Sequence, residues 1–344
     1  MITKCMQCSE EAYEIATDLF SKGEIAAFPT ETVYGLGASA YNAAAAGKIF
    51  DTKGRPHDNP LIVHVAEKSM IPELVDITET GKALIDAFMP GPITVIMPRK
   101  SVIPDEVTAG LDTVGIRMPI NAFAHRMLEV CKLPIAAPSA NRSGRPSPTT
   151  ALHVLEDMDG RIPLILDGGP CEVGLESTVV DAANGEPMIL RPGAVTKEMI
   201  EKVCGVCRVT DSVLRPLRQG EKALSPGMRY RHYAPKGEMH LYEGDANNVA
   251  EGICIAYDSA LAASLSPCIL CFSEHSEMYS SRRFVSLGRL SNPEEAASRL
   301  FTVLRDMDRL EIDCIFCEML PTDGMGLAVM NRLGRAASFQ IVKV

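Results

Sequence analysis

Short, strongly apolar runs alternate with stretches of helical period along most of this chain, and few folds accept that pattern. Residues 10–22 put Ala12, Ile15, Ala16, Leu19 and Phe20 on one helical face before Gly23, and EIAAFPT then reads as a buried strand. Strand-like runs recur at 59–65, 93–98, 114–119, 134–138, 163–169 and 177–182, with helical periods near 43–50, 81–88, 121–131 and 149–158. The alternation predicts an α/β domain with a mixed, twisted sheet. With 344 residues the chain exceeds what one core usually supports, so a second domain is expected.

The seam falls between residues 208 and 238, where the texture turns to Arg, Pro and Gly without a sustained period. Residues 208–236 hold seven Lys or Arg against two Asp or Glu, in a chain of net charge −10. A basic strap on an acidic protein suggests that the strap covers something anionic. Beyond it GICIAYD, CILCFSE, RFVSLGRL and CIFCEML read as strands, and PEEAASRLFTVLRDMDRL and GLAVMNRLGRAAS as helices. This predicts a smaller, Rossmann-like domain with a parallel sheet. The division is therefore 1–207, a linker at 208–238, and 239–344.

The acidic balance opposes a protein whose main task is to coat nucleic acid, which needs clustered cations to displace counterions. No run of about 18 apolar residues and no secretory leader is present, so a cytoplasmic protein with no membrane partner is expected. Eleven cysteines suit a reducing compartment. Eight form C-x-x-C pairs at Cys5/Cys8, Cys204/Cys207, Cys268/Cys271 and Cys314/Cys317, but the last two pairs lie in strand-like runs. Residues three apart on a strand face opposite ways and cannot share a zinc ion.

Neither a G-x-x-x-x-G-K-[ST] loop, nor a helix-opening G-x-G-x-x-G, nor H-E-x-x-H occurs. Polar residues come instead in bursts attached to the apolar runs: PTETVYGLG (29–37), KGRPHDNPLIVH (53–64), DTVGIRMP (112–119), APSANRSGRPSPTTA (137–151), GLESTVVD (174–181) and LRPG (190–193). Lys53 and Arg55, two apart, would face the same way on an extended segment and could grip a polyphosphate together; as an isolated pair they would be a solvated loop. Arg117, inside an apolar strand, demands an anionic partner, either a ligand carboxylate or a structural ion pair. The Ser139-Ala140-Asn141 turn offers hydroxyl, amide and backbone donors to phosphate, although such turns more often serve as loops and caps.

Together these bursts resemble the YrdC-like threonylcarbamoyl-adenylate synthases over residues 10–235, and SPGMRYRHYAP (225–235) is similar to the strap of the long, two-domain form of that family. The resemblance implies a YrdC-like mixed sheet followed by a Rossmann-like domain. It implies an enzyme that joins L-threonine, bicarbonate or CO2, and the AMP part of ATP, with Mg2+ carried by the nucleotide and a downstream tRNA threonylcarbamoyl transferase as consumer. By the same resemblance Thr32, His64, Arg117, Ala137 and Ser177 would hold L-threonine. Lys53, Arg55, Asn59, Thr113, Ser139, Asn141, Ser147, Arg191 and Tyr230 would hold ATP, with Tyr230 closing over the adenylate. Arg229 stands where the family pattern leads one to expect Lys. Two rival readings are an RNA-binding module, against which the scarcity of stacking aromatics counts, and a carbamoyl-transfer protein of the hydrogenase-maturation type. A direct contact to tRNA is left open by the sequence.

Overall fold

The structure, a computed structural model, describes residues 1–215 and 233–344. The first sheet is built from β1 (Lys4–Gln7), β2 (Ala26–Phe28), β3 (Gly35–Ser39), β4 (Ile62–His64), β5 (Ile93–Pro98), β6 (Thr113–Arg117), β7 (Ile135–Ala137), β8 (Leu164–Asp167), β9 (Thr178–Asp181), β10 (Met188–Arg191) and β11 (Arg208–Val209). Their spatial order is β1-β8-β2-β3-β7-β4-β6-β5-β9-β10-β11. Parallel pairs such as β4 with β6 alternate with antiparallel ones such as β4 with β7, as a mixed sheet requires.

Helices α1 (Glu10–Ser21), α2 (Ala43–Lys53), α3 (Ile71–Leu74), α4 (Glu79–Phe88), α5 (Asp105–Thr108), α6 (Ala122–Cys131), α7 (Ala151–Met158) and α8 (Lys197–Cys204) accompany this sheet. Ser9, Asn42, Thr78, Asn121, Thr150 and Thr196 cap the longer ones, each side chain accepting from a first-turn N–H. One core holds Ile49, Phe50, Val63, Val95 and Ile116, and another Phe20, Phe28, Met127 and Leu166. Because side chains alternate along a strand, Val63 and Ile116 enter the first core while their neighbours His64 and Arg117 turn to the other face.

The second sheet has the order β14-β13-β15-β12-β16, from β12 (Glu238–Glu243), β13 (Pro267–Cys271), β14 (Phe284–Ser286), β15 (Cys314–Glu318) and β16 (Ile341–Lys343), all pairs parallel. Helices α9 (Ala246–Ala262), α10 (Pro293–Arg309) and α11 (Gly324–Ala336) connect its strands. The expected parallel α/β arrangement is present, with one correction: GICIAYD lies inside α9 and is not a strand. Its buried residues Val249, Ala250, Ile253, Tyr257 and Ala260 fall on one face at helical spacing, and this period extends beyond the seven-residue window that suggested a strand. Cys268 and Cys317 enter one core cluster while Cys271 and Cys314 pack with the other, so each pair is split across the sheet. Among the described residues, no group of three His, Cys, Asp or Glu is placed to hold a metal, and no helix is long and apolar enough to cross a membrane.

The two parts share a core. Val33 and Leu175 of the first pack with Ala297, Leu300 and Phe301 of α10. Gly174, at φ 75°, permits the approach: a Cβ there would lie 2.5 Å from Ser298 Cα and 2.8 Å from the Ala297 carbonyl.

Candidate active site

His64 and Arg117 are register partners on the parallel strands β4 and β6, so they share a face near the carboxyl ends. Ala137 at the end of β7, Ser139 after it, Ser177 before β9 and Arg191 closing β10 complete a cavity of about 50 Å3 with Arg55. That is room for a few waters. Among the described residues, three arginines line it, against one carboxylate, that of Glu176. The cavity is built for anions.

Arg117 is 4% exposed and donates through Nη2 to Glu31 Oε1 at 2.6 Å and to Thr30 Oγ1 at 3.4 Å. The structural ion pair and the cavity position thus coexist. Its Nε has no hydrogen-bond partner among the described residues, which leaves a buried donor unmet. His64 accompanies it as a neutral ring: burial, then the Arg117 charge, push its pKa down to about 3. Nδ1 lies 3.1 Å from the Ile62 carbonyl and 3.3 Å from that of Ile135. A neutral imidazole whose Nδ1–H serves these carbonyls keeps Nε2 as an acceptor.

Lys53 and Arg55 are both buried, but not on an extended segment. The helical period runs through Lys53, the last residue of α2, and Gly54 ends it in the left-handed conformation at φ 62°. Lys53 Nζ turns to the carbonyls of Ser139 and Asn141, fixing the turn that Ser139 and Asn141 begin. Burial and then Arg55 hold its pKa well below that of an ordinary lysine. Arg55 donates to the Asn59 and Pro60 carbonyls at 3.3 and 3.2 Å, while Asn59 Oδ1 is buried without a partner among the described residues. Ser139 Oγ donates to Asn141 Oδ1 at 2.5 Å, and Asn141 Nδ2 reaches the carbonyls of Arg142 and Arg145 at 2.8 Å.

Ser177 Oγ lies 2.8 Å from Thr94 Oγ1 and accepts from Arg191 Nη2 at 3.2 Å; Arg191 Nε also donates to the Ser177 carbonyl. Burial brings the Arg191 pKa down to about 10, which leaves it cationic at neutral pH. Ser147 is set behind this wall, its Oγ donating to Glu176 Oε1 at 2.5 Å. Thr32 is buried beside the cavity, 2.9 Å from the Thr30 hydroxyl, and Thr30 rather than Thr32 forms the wall. Thr113, four residues before Arg117 on β6, lines a separate small opening with Leu111 and Gly115. Tyr230 lies outside the described residues. Tyr233, at the far end of the strap, is 3% exposed and lines the cavity.

Sequence reasoning missed Glu31, Glu176 and Tyr233. A signal for the two carboxylates existed, since PTET and GLEST each set one Glu among residues that bury, where only a paired carboxylate is tolerated.

A family model of the Sua5, YciO and YrdC type, described as "Telomere recombination", matches residues 18–193, and one for the C-terminal domain of threonylcarbamoyl-AMP synthase matches residues 195–338. The threonylcarbamoyl-AMP synthase of Pyrococcus abyssi is 43% identical over 96% of this chain and 95% of its own length. The chain belongs to the threonylcarbamoyl-AMP synthase family. The Bacillus subtilis member is 44% identical over 95% of this chain and 93% of its own. The fold matches the crystal structure of P. abyssi Sua5 complexed with L-threonine at a TM-score of 0.92, with 42% identity, 100% of this chain and 99% of that one covered.

Proposed function

We infer that this chain condenses L-threonine, bicarbonate or CO2, and ATP to threonylcarbamoyl-adenylate and pyrophosphate. The threonine amine takes up the carbon species as a carbamate with loss of water or a proton; a carbamate oxygen then bonds to the α-phosphorus of ATP and the bond to pyrophosphate breaks. Such a reaction asks for alignment and fixed positive charge, with no protein nucleophile. The observation that carries the reading is the arginine-lined cavity in which Arg117 and neutral His64 stand beside Ser177, with Arg55, Arg191 and the Ser139 turn around them. On this reading Arg117 meets the threonine carboxylate with its unmet Nε, and His64 Nε2 accepts from the threonine hydroxyl or amine. A site that hydrogen-bonds the hydroxyl rejects valine strongly. Arg55, Arg191, Asn59, Ser139 and Asn141 serve the nucleotide, with Lys53 fixing the turn they share. Mg2+ arrives with ATP, held by phosphates and water. The product would serve N6-threonylcarbamoylation of the adenosine beside the tRNA anticodon, completed in the cytoplasm by a separate transferase.

The test is pyrophosphate release from ATP and Mg2+ with bicarbonate. Release should require both threonine and bicarbonate, be much lower with valine, and collapse in Arg55→Ala. Release without threonine, or dependence on carbamoyl phosphate, would overturn the reading and favour the carbamoyl-transfer alternative.

A further inference from the structure

Among the described residues, the two largest fully buried side chains are Arg305 and Arg332, both from the second domain, and both point into the first. Burying a guanidinium is costly unless it is paired, so each must meet a fixed anion. Arg305 donates to Asp157 Oδ2 at 2.8 Å and to the Pro146 carbonyl at 2.6 Å. Arg332 donates through Nε to Glu176 Oε2 at 2.9 Å, through Nη2 to the Glu176 carbonyl at 3.2 Å, and through Nη1 to the Pro192 carbonyl at 2.6 Å.

The consequences at the cavity differ. Asp157 stands behind the loop, whereas Glu176 is, among the described residues, the one carboxylate in the cavity wall. A bare carboxylate there would repel the polyphosphate of ATP. Burial alone would raise the Glu176 carboxyl, but Arg332 first, then Arg191, the Ser147 hydroxyl and its own backbone N–H hold it below the usual range, so it stays ionised. Arg191 is itself committed to Ser177 and lines the cavity. The neutralising charge that is not itself in the wall is Arg332.

We propose that Arg332 of the second domain is a positioning residue of the active site. It neutralises Glu176 from behind, so that the carboxylate can hold Ser147 in place without repelling the nucleotide. The geometry is that of a relay: Arg332 fixes Glu176, Glu176 accepts from Ser147, and Ser147 is held in the loop whose Pro146 carbonyl Arg305 grips. The same helix also donates from Asn331 Nδ2 to the Val213 carbonyl at 2.6 Å and from Arg335 Nη2 to the Ser212 carbonyl at 3.0 Å, where the strap begins. Arg332 lies 5.9 Å from the ring centre of Tyr233, where the strap ends. The second domain thus takes part in the site through charge as well as through attachment of the strap.

This rests on the synthase reading, so nucleotide affinity is measured apart from turnover. Full-length Arg332→Met, Glu176→Gln and the double variant are compared for binding of a non-hydrolysable ATP analogue by calorimetry, for KM and kcat in pyrophosphate release, and for thermal unfolding. Arg309→Ala, which removes an exposed interdomain pair with Glu156, controls for docking. Arg332→Met should weaken analogue binding by about tenfold or more, raising KM for ATP more than it lowers kcat, since a buried carboxylate is left unpaired. The double variant should recover most of that loss, because the stranded charge is gone. Glu176→Gln should weaken analogue binding by no more than a few-fold, since the amide oxygen can still accept from Ser147 while the charge is gone, and should lower stability. Equal weakening in Arg332→Met and the double variant, or a tenfold or greater loss of analogue binding in Glu176→Gln, would overturn the proposal and leave Arg332 a docking residue. Should Arg332→Met fail to fold, Glu176→Gln and the double variant still decide. Wild-type analogue binding with no threonine-dependent release would defeat the synthase reading while leaving this one measurable.

Discussion

Each sheet carries a cavity near carboxyl ends of parallel strands, and the two differ in a way that volume does not predict. The one on the first sheet is about 50 Å3; the one beside β12 and β15 is about 460 Å3, lined among others by Tyr242, His275, Glu318 and Leu320. In the larger cavity the buried Glu318 is fully served, accepting from Tyr279 Oη at 2.7 Å and from Phe272 N at 3.0 Å, with His275 Nδ1 at 3.1 Å. In the smaller, among the described residues, Arg117 Nε is buried without a partner and arginines outnumber carboxylates in the wall. Satisfied polar groups hold a fold together, whereas an unmet donor in a cavity wall is a cost that a bound ligand would remove.

Four experiments press on that contrast. Arg117→Met strikes the unmet group and should lower kcat/KM for threonine by about a hundredfold or more, as loss of a group that orients the substrate does; activity within a few-fold of wild type would end the claim that the first cavity holds threonine. Asp157→Ala strands the buried Arg305 and should cost about 3–5 kcal/mol of stability in denaturant unfolding. Glu318→Gln disturbs the served group and should cost about 1–3 kcal/mol while leaving pyrophosphate release intact. Loss of release in a folded Glu318→Gln protein would make the second cavity part of the reaction. The fourth experiment reads acid stability. Burial, with nearby arginines, holds His64 and His153 neutral, with pKa values pushed down to about 3 and about 4. Below the unfolded value of about 6.5 the unfolded chain binds protons that the native one refuses, so their contribution is present above that pH and is lost as pH falls toward 4. The melting temperature should decline over this window, and His153→Asn should flatten the decline.

Much of the fold could be read from local pattern, because apolar period survives burial on one face. The runs at 93–98 and 134–138 became β5 and β7, and the period over 293–309 became α10. What escaped were elements with little apolar signal, such as β1, whose four residues stay largely exposed against β8. The site was legible at His64, Arg117, Ala137, Ser139, Ser177, Arg191 and Arg55, which gather at one cavity. It was illegible where a residue acts through a distant partner. Nothing near Glu176 announces Arg332, 156 positions away, and nothing in the strap singles out Tyr233 as a cavity residue.

Gly174 returns as a question of tolerance in the engineering sense. Two backbones from different domains pass each other there with no space for one carbon atom, so the clearance between domains is set to less than the width of a methyl group. A part seated that closely acts as a template and has no play. Charges delivered across such a seam, those of Arg305 and Arg332, arrive at fixed positions; a spacer as small as alanine at residue 174 would work like a shim, moving both arginines at once without touching either.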